Sequence, residues 1–347
     1  MSGSPSSARL EGLQQLRFFA ALLVLIHHVL EELHASPLVQ LPYALTTVGA
    51  CGVDIFFVIS GYVMWHSTRG FAEGVSPLGF LRRRFFRIYP IYWFCLGLLL
   101  LIWASGIGYR SLQLSPVLLF SSLSLIPGID RDSSLIVGVA WTLVYEMYFY
   151  AVCTMALCLR PVRLRPLFIL LLLGGLPVLA GLAGWHSGES WYADPIVLEF
   201  CFGLGLGALH APAGRKAWHA PVLIAACFMM VAACLWWPDA KTAGLSDSVR
   251  WLAWGVPAAL IVAVSTGRPF AGGRTGRWLT GMGDASYTLY LSHGFVMIVL
   301  ARLLKGALAE SMTAVVVAGV LAVIGACVLG RLMHVHVERR LTDYLKH

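Results

Sequence analysis

Apolar and polar positions along this chain fall into long blocks, not into the two-residue alternation of strands. Ten blocks are long and apolar enough to predict membrane-crossing helices, at 13–31, 46–66, 85–105, 137–159, 166–184, 193–210, 220–237, 250–267, 284–303 and 312–332. A helix rising 1.5 Å per residue needs about 20 apolar residues to cross a hydrocarbon core of about 30 Å. An eleventh stretch, Leu112 to Pro127, is shorter and contains Ser and Pro, and reads as a loop or re-entrant segment. The expected fold is all-α: a polytopic membrane protein of about ten transmembrane helices, forming a single integral membrane domain over residues 1–347. No repeat period, low-complexity tract or interdomain linker interrupts it.

Composition agrees with the pattern. Hydrophobic residues make up 59% of the chain and charged residues 12%, with a mean hydropathy of +0.78, whereas a soluble domain carries roughly 25% charged residues. The basic residues then orient the spans, because Lys and Arg collect in short cytoplasmic loops. With both termini cytoplasmic, nineteen of the 25 Lys and Arg residues fall inside. Counting Leu112–Pro127 as a full span would invert every later loop and move most of them outside. The net charge of +8 is thus topology signal plus attraction to anionic lipid headgroups, not a nucleic-acid footprint. The eight cysteines show no CxxC and no Cys/His ligand spacing, so they read as small buried hydrophobes, with neither disulfide nor metal expected. The first apolar run contains Arg17, His27 and His28 and lacks a small-residue cleavage site, so it is expected to stay as a membrane helix.

Ionisable side chains inside spans cost several kcal/mol unless they face a cavity or a partner, which makes each one a functional candidate. Arg17 and His28 are eleven residues apart: three helical turns plus about 20°, on one face, with roughly 16 Å between them along the axis. Taken alone, Arg17 reads as an arginine snorkelling to the cytoplasmic interface. His28, past mid-membrane, reads alone as either a satisfied core histidine or a functional group, and the shared face joins the two into one candidate site. His27 points elsewhere on a helical wheel.

Asp54, after Gly49 and Gly52, is either an N-cap at an irregular helix start or a functional acid at the depth of His28. Ser60 and Gly61 suit close helix packing. The run Arg82-Arg83-Arg84-Phe85-Phe86-Arg87 exceeds what a positive-inside anchor needs, and guanidinium clusters bind phosphate oxygens bidentately. Glu146, with no charged neighbour in its own helix, must be neutral or paired across helices; His28 is the expected partner, and Glu199 could take the same place. Asp284 reads as an N-cap. His293 shares an i, i+3 face with Tyr290 and either lines a cavity or bonds between helices.

Five segments in order resemble the acyltransferase-3 family of bacterial membrane acyltransferases, across the whole chain. They are Leu13-Gln14-Gln15-Leu16-Arg17 followed ten residues later by His28, the stretch Asp54 to Gly61, the arginine run ending Arg87-Ile88-Tyr89-Pro90, Trp141-Thr142-Leu143 before Glu146, and Ser286-Tyr287-Thr288-Leu289-Tyr290-Leu291-Ser292-His293. The shorter members that acetylate exopolysaccharides are the most similar. The resemblance implies a multi-pass protein of the bacterial inner membrane that draws acyl-CoA, acetyl-CoA above all, as a co-substrate with no permanently bound cofactor. The acceptor would be a hydroxyl of a glycan or lipid-linked sugar. It also implies His28 as catalytic residue; from their depth in the membrane, Glu146 or Asp54 is expected to fix its tautomer. Arg17, Arg82, Arg83, Arg84 and Arg87 would hold CoA, and Trp141, Tyr290 and His293 would stand at the acceptor. A proton-coupled transporter is the rival class, since buried Asp, Glu and His also relay protons. Against it, no inverted repeat and no paired broken helices are visible.

Overall fold

The computed structural model describes residues 5–106, 112–126, 135–184, 191–209, 219–236, 247–266, 269–306 and 311–344. Seven basic residues used to orient the loops (Arg110, Arg131, Arg215, Lys216, Lys241, Arg268 and Lys346) lie outside them, as does Pro127. The described residues are helical with no strand. In order the helices are α1 (Pro5–His34), α2 (Tyr43–Thr47), α3 (Gly52–Ser67), α4 (Pro77–Ala104), α5 (Pro116–Ser124), α6 (Trp141–Cys158), α7 (Arg165–Leu182) and α8 (Leu198–Ala208). They continue as α9 (His219–Trp236), α10 (Asp247–Ala253), α11 (Gly255–Ser265), α12 (Gly273–Asp284), α13 (Ser286–Lys305), α14 (Met312–Met333) and α15 (Arg339–Tyr344).

Among the described residues, eight stretches are long and apolar enough to cross a membrane. The two other predicted spans correspond to α6, which is interrupted by polar side chains, and to α8, which is short. Their neighbours carry the lipid-facing surface. On α7, Leu171, Leu179 and Leu182 are exposed, and on α14 so are Val320, Leu321 and Ile324. Apolar side chains fully outside a core are stable only in contact with lipid or a partner.

The bundle is built around α1, which packs against α3, α11, α12, α13 and α14. Close approach depends on glycine. A Cβ on Gly61 of α3 would fall 2.1 Å from the Phe200 carbonyl oxygen of α8, and one on Gly203 would fall 2.1 Å from that of Val58. This is the small-residue contact expected at Gly61. At the arginine-rich end, Gln15 donates to the Ala271 carbonyl (2.9 Å) and accepts from the Ala271 N–H (3.0 Å), while Gln14 donates to Asp284 (2.9 Å). These bonds fasten α12 across the end of α1. Asp284 is therefore not the N-cap of α13 but the last residue of α12, because Gln14 claims its carboxylate. Nor does Asp54 cap α3, which starts after Cys51 with no side-chain cap.

Residues 112–124 of the eleventh stretch fold back along α4. Trp103 donates to the Leu112 carbonyl at one end, and Tyr92, Trp93 and Tyr89 donate to the carbonyls of Ser122 (2.5 Å), Leu123 (2.9 Å) and Ser124 (2.5 Å) at the other. The segment thus runs antiparallel along about 20 Å of α4. The last carbonyls of a helix lack intrahelical partners and cannot stay bare in hydrocarbon. The aromatic donors after the arginine run, Tyr89, Tyr92 and Trp93, supply those partners. The Ile136 N–H then bonds Ser122 Oγ (3.0 Å), so the chain enters α6 within the bundle instead of at its outer surface. All eight cysteines are free; Cys158 and Cys227 are exposed, not buried as expected.

Candidate active site

Two cavities lie along α1. The inner one, ≈ 80 Å³, opens between α1, α3, α4, α6 and α13 and is lined by Arg17, Arg84, Arg87 and Glu146 among others. Arg84 donates to Ser67 Oγ (2.9 Å) and lies over the rings of Phe80 and Tyr150. Glu146 accepts from the hydroxyls of Tyr150 and Ser60. Three guanidinium groups around one carboxylate leave this cavity net positive, which suits a polyanion. Arg82 and Arg83 are exposed and line neither cavity; Arg82 lies on the face of α4 away from Arg84 and Arg87, while Arg83 is one turn before Arg87.

The outer cavity, ≈ 560 Å³, is lined by His28, Glu31, Glu32, Trp141, His293 and Arg302 among others. His28 Nδ1 stands 3.0 Å from Glu31 Oε2. An ionised carboxylate only accepts, so Nδ1 donates and Nε2 keeps its lone pair as a base. The buried His293 ring stacks on His28 at 5.2 Å between centroids, 20° from parallel. His27 does not point away: its ring lies 4.7 Å from that of His28, with Nδ1 on the Thr46 carbonyl (2.6 Å) and Nε2 3.5 Å from Glu31. His27, His28 and Glu31 offer one ligand atom each within 4.8 Å, but the short His28–Glu31 bond uses the carboxylate to orient an imidazole.

The expected partners of His28 are elsewhere. Asp54, fully buried, pairs with Arg250 through two bonds of 2.9 and 3.1 Å. Arg250 also lies over the rings of Trp141 and Trp254. Glu199 sits beside this pair, its side chain against Gly255 of α11. Glu146 belongs to the inner cavity with Tyr150, so Ser60 serves it as a hydrogen-bond donor instead of acting as packing alone. The residue that does orient His28, Glu31, lies three positions on along the same helix. An acid at i+3 from a histidine is a legible signal, hidden here by its position at the last residue of the predicted span.

Between the cavities stands Tyr290. Its hydroxyl donates to the Val139 carbonyl (3.0 Å) and accepts from Thr142 (3.0 Å), and its ring packs edge-on to Phe56. Tyr290 and Thr142 line the inner cavity, whereas Val139, Trp141 and His293 line the outer.

The site therefore joins a cationic pocket to an oriented imidazole at opposite ends of one helix face. A family described as acyltransferase domain matches residues 10–331, which takes in every residue of both cavities. The chain belongs to the acyltransferase-3 family. It is accordingly a multi-pass membrane acyltransferase. Among its relatives, it is 32% identical over 264 residues to the exopolysaccharide production protein ExoZ of Rhizobium meliloti, covering 74% of this chain and 79% of that one. It is 29% identical over 379 residues to the acyltransferase MdmB of Streptomyces mycarofaciens, covering 96% and 92%. No solved structure matches it.

Proposed function

We propose that this acyltransferase moves an acyl group, acetyl above all, from acyl-CoA on the cytoplasmic side to a hydroxyl of a glycan at or across the bacterial inner membrane. The observation that carries the reading is the pairing of Arg17, in the cationic inner cavity, with His28, in the outer cavity, along one face of α1. Their separation of roughly 16 Å matches an extended pantetheine arm between CoA phosphates and thioester. Arg17, Arg84 and Arg87 are the phosphate ligands this geometry favours.

At the far end, Glu31 holds His28 so that Nε2 takes the proton of the acceptor hydroxyl. The hydroxyl oxygen bonds to the acyl carbon, the carbon–sulfur bond breaks, and the proton passes to the CoA thiolate. The outer cavity suits a sugar: it offers the Trp141 ring for stacking and the carboxylates of Glu31 and Glu32 for hydroxyl groups. The printed name of ExoZ, an exopolysaccharide production protein, favours the same acceptor class. The test is transfer of radiolabelled acetyl from acetyl-CoA to the glycan fraction of a membrane extract by purified protein. Label in the glycan supports the reading. No transfer, together with no acetyl-CoA binding, favours the transporter class.

A further inference from the structure

The two cavities share no lining residue, and one hydroxyl group sits between their linings. The Tyr290 hydroxyl bonds the Val139 carbonyl, in the turn that precedes α6, and Thr142 in the first turn of α6. Phe56 closes the other side of the tyrosine ring, at 6.1 Å between centroids. Tyr290 is 7% exposed, so little of it is wetted from either side. On α13 it lies one turn before His293, whose ring stacks on His28. Tyr290 lines the inner cavity and its bond partner Val139 the outer, so this hydroxyl stands where one lining gives way to the other.

We propose that Tyr290 is both the seal between the donor and acceptor cavities and a catalytic hydrogen-bond donor to the thioester. In the resting protein its O–H is spent on the Val139 carbonyl. When the pantetheine arm enters, the same O–H turns to the thioester carbonyl oxygen. That oxygen gains negative charge as the acceptor oxygen adds, and a donor placed at the developing charge is worth more than one that binds the ground state. Sealing and catalysis are then one event: the passage opens only when a carbonyl is present to replace that of Val139. Acetyl-CoA is thereby kept from water in the outer cavity until it is seated. The catalytic half of this proposal rests on the acyl-CoA reading above; the seal does not.

The experiment has two independent readouts. In the first, acetyl-CoA binding and transfer are measured for wild type, Tyr290→Phe and Thr142→Val in detergent. Tyr290→Phe is expected to keep acetyl-CoA affinity within about twofold while kcat falls about 100-fold, the scale seen on removing one oxyanion donor; Thr142→Val, which leaves the donor in place, should change kcat far less. In the second, cysteine is placed at Val63, which lines the inner cavity, and intact cells are treated with a membrane-impermeant thiol reagent. Labelling above that of the parent with Val63 is expected only when Tyr290→Ala is also present. Unchanged turnover in Tyr290→Phe, or equal Val63→Cys labelling with and without Tyr290→Ala, would overturn the proposal. If wild type neither binds nor turns over acetyl-CoA, the donor reading fails, and the labelling result still decides the seal.

Discussion

His28 and Glu31 lie on one turn of α1 with Nδ1 3.0 Å from the carboxylate, and this pair makes His28 more than a histidine in an apolar helix. A carboxylate on Nδ1 selects the tautomer with its lone pair on Nε2 and stabilises the imidazolium that follows proton uptake. Glu31→Gln keeps the shape and removes the charge. It is expected to lower kcat by about two orders of magnitude or more, on the scale of general acid–base contributions, with acetyl-CoA affinity unchanged. Steady-state kinetics alongside acetyl-CoA titration check this. A Glu31→Gln enzyme with wild-type kcat removes Glu31 from the mechanism.

The arginine run divides at the lining of the inner cavity. Arg84 and Arg87 line the inner cavity while Arg82 and Arg83 do not. Alanine at Arg84 or Arg87 should raise KM for acetyl-CoA about tenfold, the equivalent of about 1.4 kcal/mol of binding. Alanine at Arg82 or Arg83 should leave it within about twofold. If all four behave alike, the cluster acts as a diffuse anchor and not as a ligand set.

The Asp54–Arg250 pair is structural in this geometry. Breaking a buried ion pair by removing one partner leaves an uncompensated charge and costs about 3–5 kcal/mol. Arg250→Met should therefore lower the thermal unfolding temperature in detergent sharply. The double variant Asp54→Leu with Arg250→Met should recover much of the loss. Equal instability of single and double variants would contradict the pairing.

The α3–α8 crossing is closed at Gly61, where an added Cβ would meet the Phe200 carbonyl oxygen at 2.1 Å. Backbone cannot yield there as a flexible side chain does, so Gly61→Ala should reduce the yield of folded protein, read by size-exclusion chromatography. A Gly175→Ala control, where nothing lies within 4 Å, should not.

Much of this was legible in the sequence, and what was not has a physical cause. Block length places the spans, because the bilayer imposes it: among the described residues, eight of the ten predicted blocks are long and apolar enough to cross. The shared face of Arg17 and His28 follows from helical period alone, and the two residues do line the two cavities. Pairings across helices are another matter. Asp54 and Arg250 are 196 residues apart, and nothing in the period of either helix says which neighbour each will face. The sequence pairs Glu146 with His28, but α6 starts within the bundle, beside the segment that folds back along α4, which places Glu146 with the arginines. Glu31, at the last residue of the predicted span, carries no signal of its own that it faces His28 beyond its i+3 spacing.

The most direct test is release of free CoA thiol from acetyl-CoA by purified protein in detergent with a sugar acceptor present, comparing wild type with His28→Ala. Release by wild type, lost in His28→Ala while acetyl-CoA binding persists, is the predicted result and puts the chemistry at the outer end of α1. Equal release by the two proteins would contradict it.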